Sequence, residues 1–165
     1  MKQILEWAIA AIVGIGVAVA LRYFVIEGYK VSGESMLPTF QHGDYVFAEK
    51  ISYKVDDLDY GDIVILETEN FDHKKIIKRV IGLTGDRISI SDGKVYRNGE
   101  ALKEDYIQEE PFDDFEELIV PKGEIFVLGD NRNNSSDSRL FGTFTYEQIK
   151  GHVVFEAFNN PFTFY

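Results

Sequence analysis

Hydrophobic and polar positions divide the chain into two unlike parts. From Ile4 to Ile26 the residues are apolar apart from Glu6 and Arg22, a run that meets the about 20 residues needed to span a hydrocarbon core. No polar face remains to turn toward water, which argues against a helix packed on a soluble core. Trp7, Tyr23 and Tyr29 stand where interfacial aromatics are expected, and Arg22 lies near enough to the end of the run to reach the headgroups. A cleavable leader is the competing reading, because Lys2 precedes an apolar stretch with small residues at Ala18-Val19-Ala20. Against it, Tyr23-Phe24-Val25-Ile26 resumes the run beyond Arg22. The pattern therefore predicts a short N-terminus and transmembrane anchor over residues 1–28 and a separate domain over 29–165. Charge does not orient it, since Lys2 lies on one side and Arg22 and Lys30 on the other.

Beyond the anchor the period changes. Short β-branched and aromatic runs recur at Asp44 to Ala48, Asp62 to Leu66, Ile76 to Ile81, Val95-Tyr96, Glu124 to Leu128 and His152 to Glu156, each of strand length. Gly43-Asp44, Gly61-Asp62 and Gly85-Asp86 punctuate them, and Asp92-Gly93 and Asn98-Gly99 are hairpin signals. Thr145 to Lys150 alone reads as a helical turn. One mostly β domain without repeats follows.

Composition narrows what such a domain does. With 17 basic and 28 acidic residues the formal net charge is −11, which argues against a nucleic-acid partner, because that affinity rests on Lys and Arg neutralising phosphates. Glu109, Glu110, Asp113, Asp114, Glu116 and Glu117 concentrate the acidity in what reads as a solvated loop. The absence of cysteine removes thiol nucleophiles, disulfides and cysteine-ligated zinc. His42, His73 and His152 have no ligand spacing, so neither a metal site nor a Ser-His-Asp triad is expected, and no cofactor is implied.

Two residues carry candidate chemistry. Ser35 lies in Ser32-Gly33-Glu34-Ser35-Met36-Leu37-Pro38-Thr39, a Gly-containing bend closed by proline. Such a bend can expose a nucleophilic hydroxyl beside backbone N–H groups, or equally make Ser35 a capping serine. Lys78 shares a strand face with Ile76 and Val80, where lost hydration lowers an amine's pKa and makes it a potential base. The alternative places it in the solvated basic run Lys74, Lys75, Lys78, Arg79. Gly129 to Arg139 is dense in short polar residues, but lacks the glycine and terminal glutamate of a calcium loop. It reads as a hydrogen-bonded loop in which Asp137 and Arg139 pair.

Taken together and in this order, these segments resemble the bacterial type I signal peptidases, particularly the short single-anchor form of Gram-positive bacteria. Ser35 to Thr39 is similar to the nucleophile box, Gly61 to Val64 to the next strand box, Lys78 to Asp86 to the general-base box and Gly129 to Gly142 to the last. The resemblance implies a β-barrel or sandwich catalytic domain on the extracytoplasmic membrane face, preceded by one transmembrane helix. It implies that Ser35 attacks, that Lys78 is the neutral base, that Ser135 positions the Lys78 amine, and that Asp137 and Arg139 support the site. Its substrates would be preproteins with small residues at positions −3 and −1, held in shallow pockets that Met36 and Ile76 are expected to line. The chain departs from the longer members at Gly33, where a serine hydroxyl helps form the oxyanion hole, which leaves more of that task to the Ser35 N–H. Thr84 stands for a common proline, and Glu156 lies near a usual arginine. Rival readings are a self-cleaving Ser/Lys repressor-type peptidase, a silent membrane-tethered binding domain and a secreted domain released after Ala20.

Overall fold

The computed structural model describes residues 2–24, 26–50, 58–68 and 74–157; the side chains at 18–24, 74 and 155–157 are among those outside the description. His73 and the small side chains of Ala18-Val19-Ala20 therefore lie outside the described residues. Helix α1 (Lys2–Phe24) is 23 residues long. Ile4, Trp7, Ile9, Ile12, Val13, Ile15 and Val17 all project from it, each at least 52% exposed. Among the described residues no helix is long and apolar enough to cross a membrane, and the described side chains of α1 run only to Val17.

The body is mostly β, as the alternating runs predict, and forms two antiparallel sheets. The larger has seven strands in the order β1-β2-β11-β3-β4-β9-β10, and the smaller has four in the order β7-β6-β5-β8. Strands β1 (Ile26–Lys30) and β2 (Tyr45–Glu49) pair, and β11 (Ile149–Ala157) lies between β2 and β3 (Ile63–Thr68). Next come β4 (Lys74–Gly82), β9 (Glu124–Leu128) and β10 (Phe144–Thr145). The smaller sheet holds β5 (Arg87–Ser91), β6 (Lys94–Arg97), β7 (Glu100–Ala101) and β8 (Phe115–Ile119). The hairpin signals are real turns: Asp92 and Asn98 take positive φ of 49° and 56°, the left-handed conformation that tight β-turns require.

Three expectations need correction. β1 begins at Ile26, so the sheet starts inside the segment assigned to the anchor, and Tyr29 is a strand residue rather than a helix-end aromatic. The helical turn expected over Thr145 to Lys150 is narrower, a single 3-10 turn at Tyr146–Gln148, because Thr145 ends β10 and Ile149 opens β11. Pairing with β9 and β3 on either side satisfies these backbone groups better than a lone turn. The acidic stretch is only partly loop. Glu116 and Glu117 belong to β8, whose Phe115 packs on Phe126 at 5.4 Å between ring centroids.

Three apolar clusters hold the sheets. Val64, Leu66, Val80, Ile125, Val127, Phe144 and Ile149 form the first, beneath β3, β4 and β9. Val31, Met36, Phe40, Val46, Ala48, Ile65 and Ile77 pack beneath the bend that carries Ser35. Ile81, Ile88, Ile90, Val95, Val120, Phe126 and Leu128 join the small sheet to the large one. β4 is thus an interior strand with packed neighbours, and it delivers Lys78 to the site.

Candidate active site

β4 runs between β3 and β9, with Lys78 opposite Val64 in the ladder. Interior placement leaves Lys78 only 3% exposed, with its Nζ donating to Ser35 Oγ at 2.7 Å and to the Ile77 carbonyl at 2.9 Å. Burial drives its pKa down from 10.5 to about 8; Asp137 and Asp130 pull upward against it, and Arg139 reinforces the fall. An amine that holds its proton this loosely, in contact with a hydroxyl, has the geometry of a general base and nucleophile.

Ser35 is presented by the turn that follows β1. Leu37 N–H donates to the Glu34 carbonyl at 3.1 Å, and Phe40 N–H to Met36 at 2.9 Å, closing the bend. From across the molecule, Asn131 N–H donates to the Ser35 carbonyl at 3.0 Å while the Asn131 side chain reaches the Glu34 carbonyl at 3.2 Å. Among the described residues the Ser35 N–H has no acceptor. Gly33 adopts φ +100°, a conformation that favours glycine, and its N–H donates to His42 Nδ1 at 3.1 Å.

The loop from Gly129 to Arg139 packs behind the pair. Asp137, with no exposed surface, accepts from Gly129 N–H at 3.0 Å and from Arg139 Nε at 2.9 Å, and it caps α2 (Ser138–Phe141). Arg139 in turn donates to the Arg132 carbonyl at 2.6 Å. Ser135 lines the same cavity as Ser35 and Lys78. Its Oγ is buried and has no hydrogen-bond partner among the described residues, and the two acceptors of the Lys78 amine are Ser35 and Ile77. A Cβ on Gly129 would come within 2.6 Å of Ser135 Cβ and collide with the Ser35 carbonyl. Gly129→Ala is therefore expected to displace both serines and to lower kcat/KM about 100-fold, with a stability loss of about 1 to 3 kcal/mol. Peptide kinetics and thermal melts of the same variant check this.

Several supporting residues escape the sequence reading. Arg79, placed in a solvated basic run by its neighbours, is bound bidentately by buried Asp130 at 2.8 and 2.6 Å and donates to the Gly61 carbonyl at 2.8 Å. Thr39 donates its hydroxyl to the same Asp130, tying the serine turn to the loop. Arg79 also stacks on Tyr106 at 4.0 Å. Arg132, fully buried, is held by Glu104 at 2.7 and 2.6 Å. Strand alternation puts Arg79 on the face opposite Lys78 but does not say whether that face is covered.

The cavity before the pair holds about 430 Å³, with Val31, Val46, Ile65, Ile76 and Ile77 among its walls. Ile76 is part of its lining. Met36 is not: at 1% exposure its side chain fills the core beneath the bend against Val31, Phe40 and Val46, because the turn that lifts Ser35 Oγ outward points the next residue inward.

Comparison with known proteins gives the chain a family. Residues 4–158 match the family model described as signal peptidase, peptidase S26. The chain is 40% identical over 153 residues to a probable signal peptidase I-1 of Synechocystis, covering 88% of this chain and 78% of that protein. It is 38% identical over 172 residues to signal peptidase I S of Bacillus subtilis, covering 96% and 92%. A crystal structure of a signal peptidase I from Enterococcus faecalis superposes with a TM-score of 0.54 at 32% identity, covering 59% of this chain and 97% of that one. The match over residues 4–158 and these relatives make this chain a member of the S26 family of signal peptidases.

Proposed function

We propose that the protein is a membrane-anchored serine endopeptidase that removes signal peptides from preproteins by a Ser35/Lys78 dyad. The observation that carries the reading is the 2.7 Å contact between a buried lysine amine and the serine hydroxyl. Neutral Lys78 takes the Ser35 proton as Oγ bonds to the scissile carbonyl carbon. The same ammonium returns that proton to the departing amine as the C–N bond breaks. Water, deprotonated by Lys78, then bonds to the acyl carbon, and as the C–Oγ bond breaks Lys78 returns the proton to Ser35 Oγ. The Ser35 N–H, without an acceptor among the described residues, supports a role as oxyanion donor.

Ser135, buried against Gly129, is proposed to limit how the Lys78 amine can move, and the Asp137–Arg139 pair to hold the loop that carries it. The apolar walls around Ile76 suit small side chains at positions −3 and −1 of the substrate. The anchor reading rests on the apolar run Ile4 to Ile26 and on apolar side chains that project all round α1, which lipid accommodates and water does not. The sheets from Ile26 onward then form the family's β-rich catalytic domain on the outer membrane face. Preproteins and the bilayer are its partners.

The test is a pH–rate profile on a preprotein peptide with the full chain in lipid. Only neutral Lys78 acts as base, so kcat/KM is expected to climb about tenfold per pH unit below 8 and to level off above it. A profile flat from pH 6 to 10 would count against lysine as the base.

A further inference from the structure

Both long walls of the cavity begin at a lysine and end at the dyad. One wall is the segment from Tyr29 and Lys30 to Ser35, and the other is β4 from Lys75 to Lys78. On β4 the two lysines are three residues apart, about 10 Å at strand rise. Lys75 is 41% exposed at its side chain, lies 4.8 Å above the Tyr29 ring and approaches Glu27 at 3.5 Å. That carboxylate is already held more closely by Lys50, at 2.6 Å. One carboxylate thus serves two lysines. Lys30, stacked 5.9 Å from the Tyr45 ring, has no carboxylate within 4.0 Å among the described residues. Among the described residues Lys30, Lys50 and Lys75 outnumber Glu27 at this end of the cleft, since Glu67, opposite Lys75 in the β3–β4 ladder, is itself held by Lys150 at 2.9 Å. The only acidic residue along the walls among the described residues, Glu34, is next to Ser35 at the other end.

We infer that Lys75, with Lys30 across the cleft, is a specificity-determining residue that favours preproteins carrying an acidic side chain about four residues before the cut. The inference rests on the dyad and anchor readings above. β1 follows α1 after a single residue, so the Lys30 and Lys75 end faces the side from which a membrane-held signal segment must arrive. An extended substrate with its scissile carbonyl at Ser35 advances by about 3.3 Å per residue. Its fourth residue upstream therefore comes level with Lys75. Ion pairs this exposed act weakly and are screened by salt, so the preference is one of binding rather than of chemistry.

The experiment compares three peptides that differ only at position −4, with Asp, Asn or Lys, cleaved by the full chain in neutral lipid at low salt. The expected ratio of kcat/KM for Asp over Lys is about five- to tenfold, expressed in KM, and falling toward one in 0.5 M salt. Lys75→Arg is expected to keep that ratio, and Lys75→Glu to abolish or invert it; Lys30→Glu is expected to reduce it independently. Ratios within one variant cancel any change in folded fraction. A ratio near one for the wild type, or an unchanged ratio in Lys75→Glu, overturns the inference while leaving the dyad reading intact. Failure to cleave even the Asn peptide overturns both.

Discussion

Lys78→Met is expected to lose cleavage by about 10³-fold or more and, at the same time, to melt at a higher temperature than the parent below pH 8. Both effects follow from one buried amine. Burial lowers the lysine pKa from 10.5 to about 8, so the folded chain holds this proton less tightly than the unfolded chain does. Below pH 8 both states are protonated and the folded state bears the whole difference, roughly 3 kcal/mol. Between pH 8 and 10.5 the folded lysine is already neutral while the unfolded one is not, so the penalty shrinks as pH rises. Above 10.5 it is gone. Methionine fills similar space without the charge, but it leaves the Ile77 carbonyl without the 2.9 Å hydrogen bond, at a cost of about 1 kcal/mol. The net gain is therefore about 2 kcal/mol at pH 6.5, some 4 to 8 °C in Tm, vanishing by pH 10. Calorimetry at the two pH values checks it. A variant less stable than the parent at pH 6.5 would mean that the folded protein welcomes this charge, contrary to the argument.

Glu104→Ala is expected to produce the largest loss of stability, about 3 to 5 kcal/mol, because it strands a guanidinium with no access to water. The Arg132 side chain has no exposed surface and Glu104 is 5% exposed. The two contacts between them, at 2.7 and 2.6 Å, form a bidentate pair, and Tyr106 also donates to Glu104 at 2.6 Å. Burial and the Glu104 charge together push the Tyr106 phenol up, so it stays a donor at every working pH. Arg132 also donates to the Gly129 carbonyl at 3.1 Å, so its disturbance reaches the loop beneath the serines. Denaturant unfolding measures the loss. The double variant Glu104→Leu with Arg132→Met removes both charges and is expected to recover most of it; equal instability in single and double variants would assign the cost to packing instead.

What the sequence made legible follows from how local each signal is. Val64, Leu66, Val80 and Val127 lie in runs whose alternation marks strands without reference to anything distant, and Asp92-Gly93 and Asn98-Gly99 encode their turns within two residues. β5 escaped although Ile88 and Ile90 alternate, because Ser89 and Ser91 made its neighbours look like turn. β8 was hidden under its glutamates, since only Phe115 and Leu118 pack inward. The site was less legible than the fold. Periodicity put Lys78 on an apolar stripe but left its solvation open, because burial depends on β3 and β9 closing over β4. Arg79 is harder still: its partner Asp130 lies 51 residues away, and no local pattern announces a carboxylate at that distance. Ser35 and Lys78, 43 residues apart, came together on paper only through the order of four segments that resemble a family, whereas the fold joins them at 2.7 Å.

The most direct test of the account maps cleavage by mass spectrometry on a preprotein, with the full chain in lipid as wild type, Ser35→Ala and Lys78→Ala. A single cut after a small-X-small sequence is expected in the wild type and none in either variant. Cleavage that persists at the same bond in Ser35→Ala or Lys78→Ala, or a wild type that makes no cut, would contradict it.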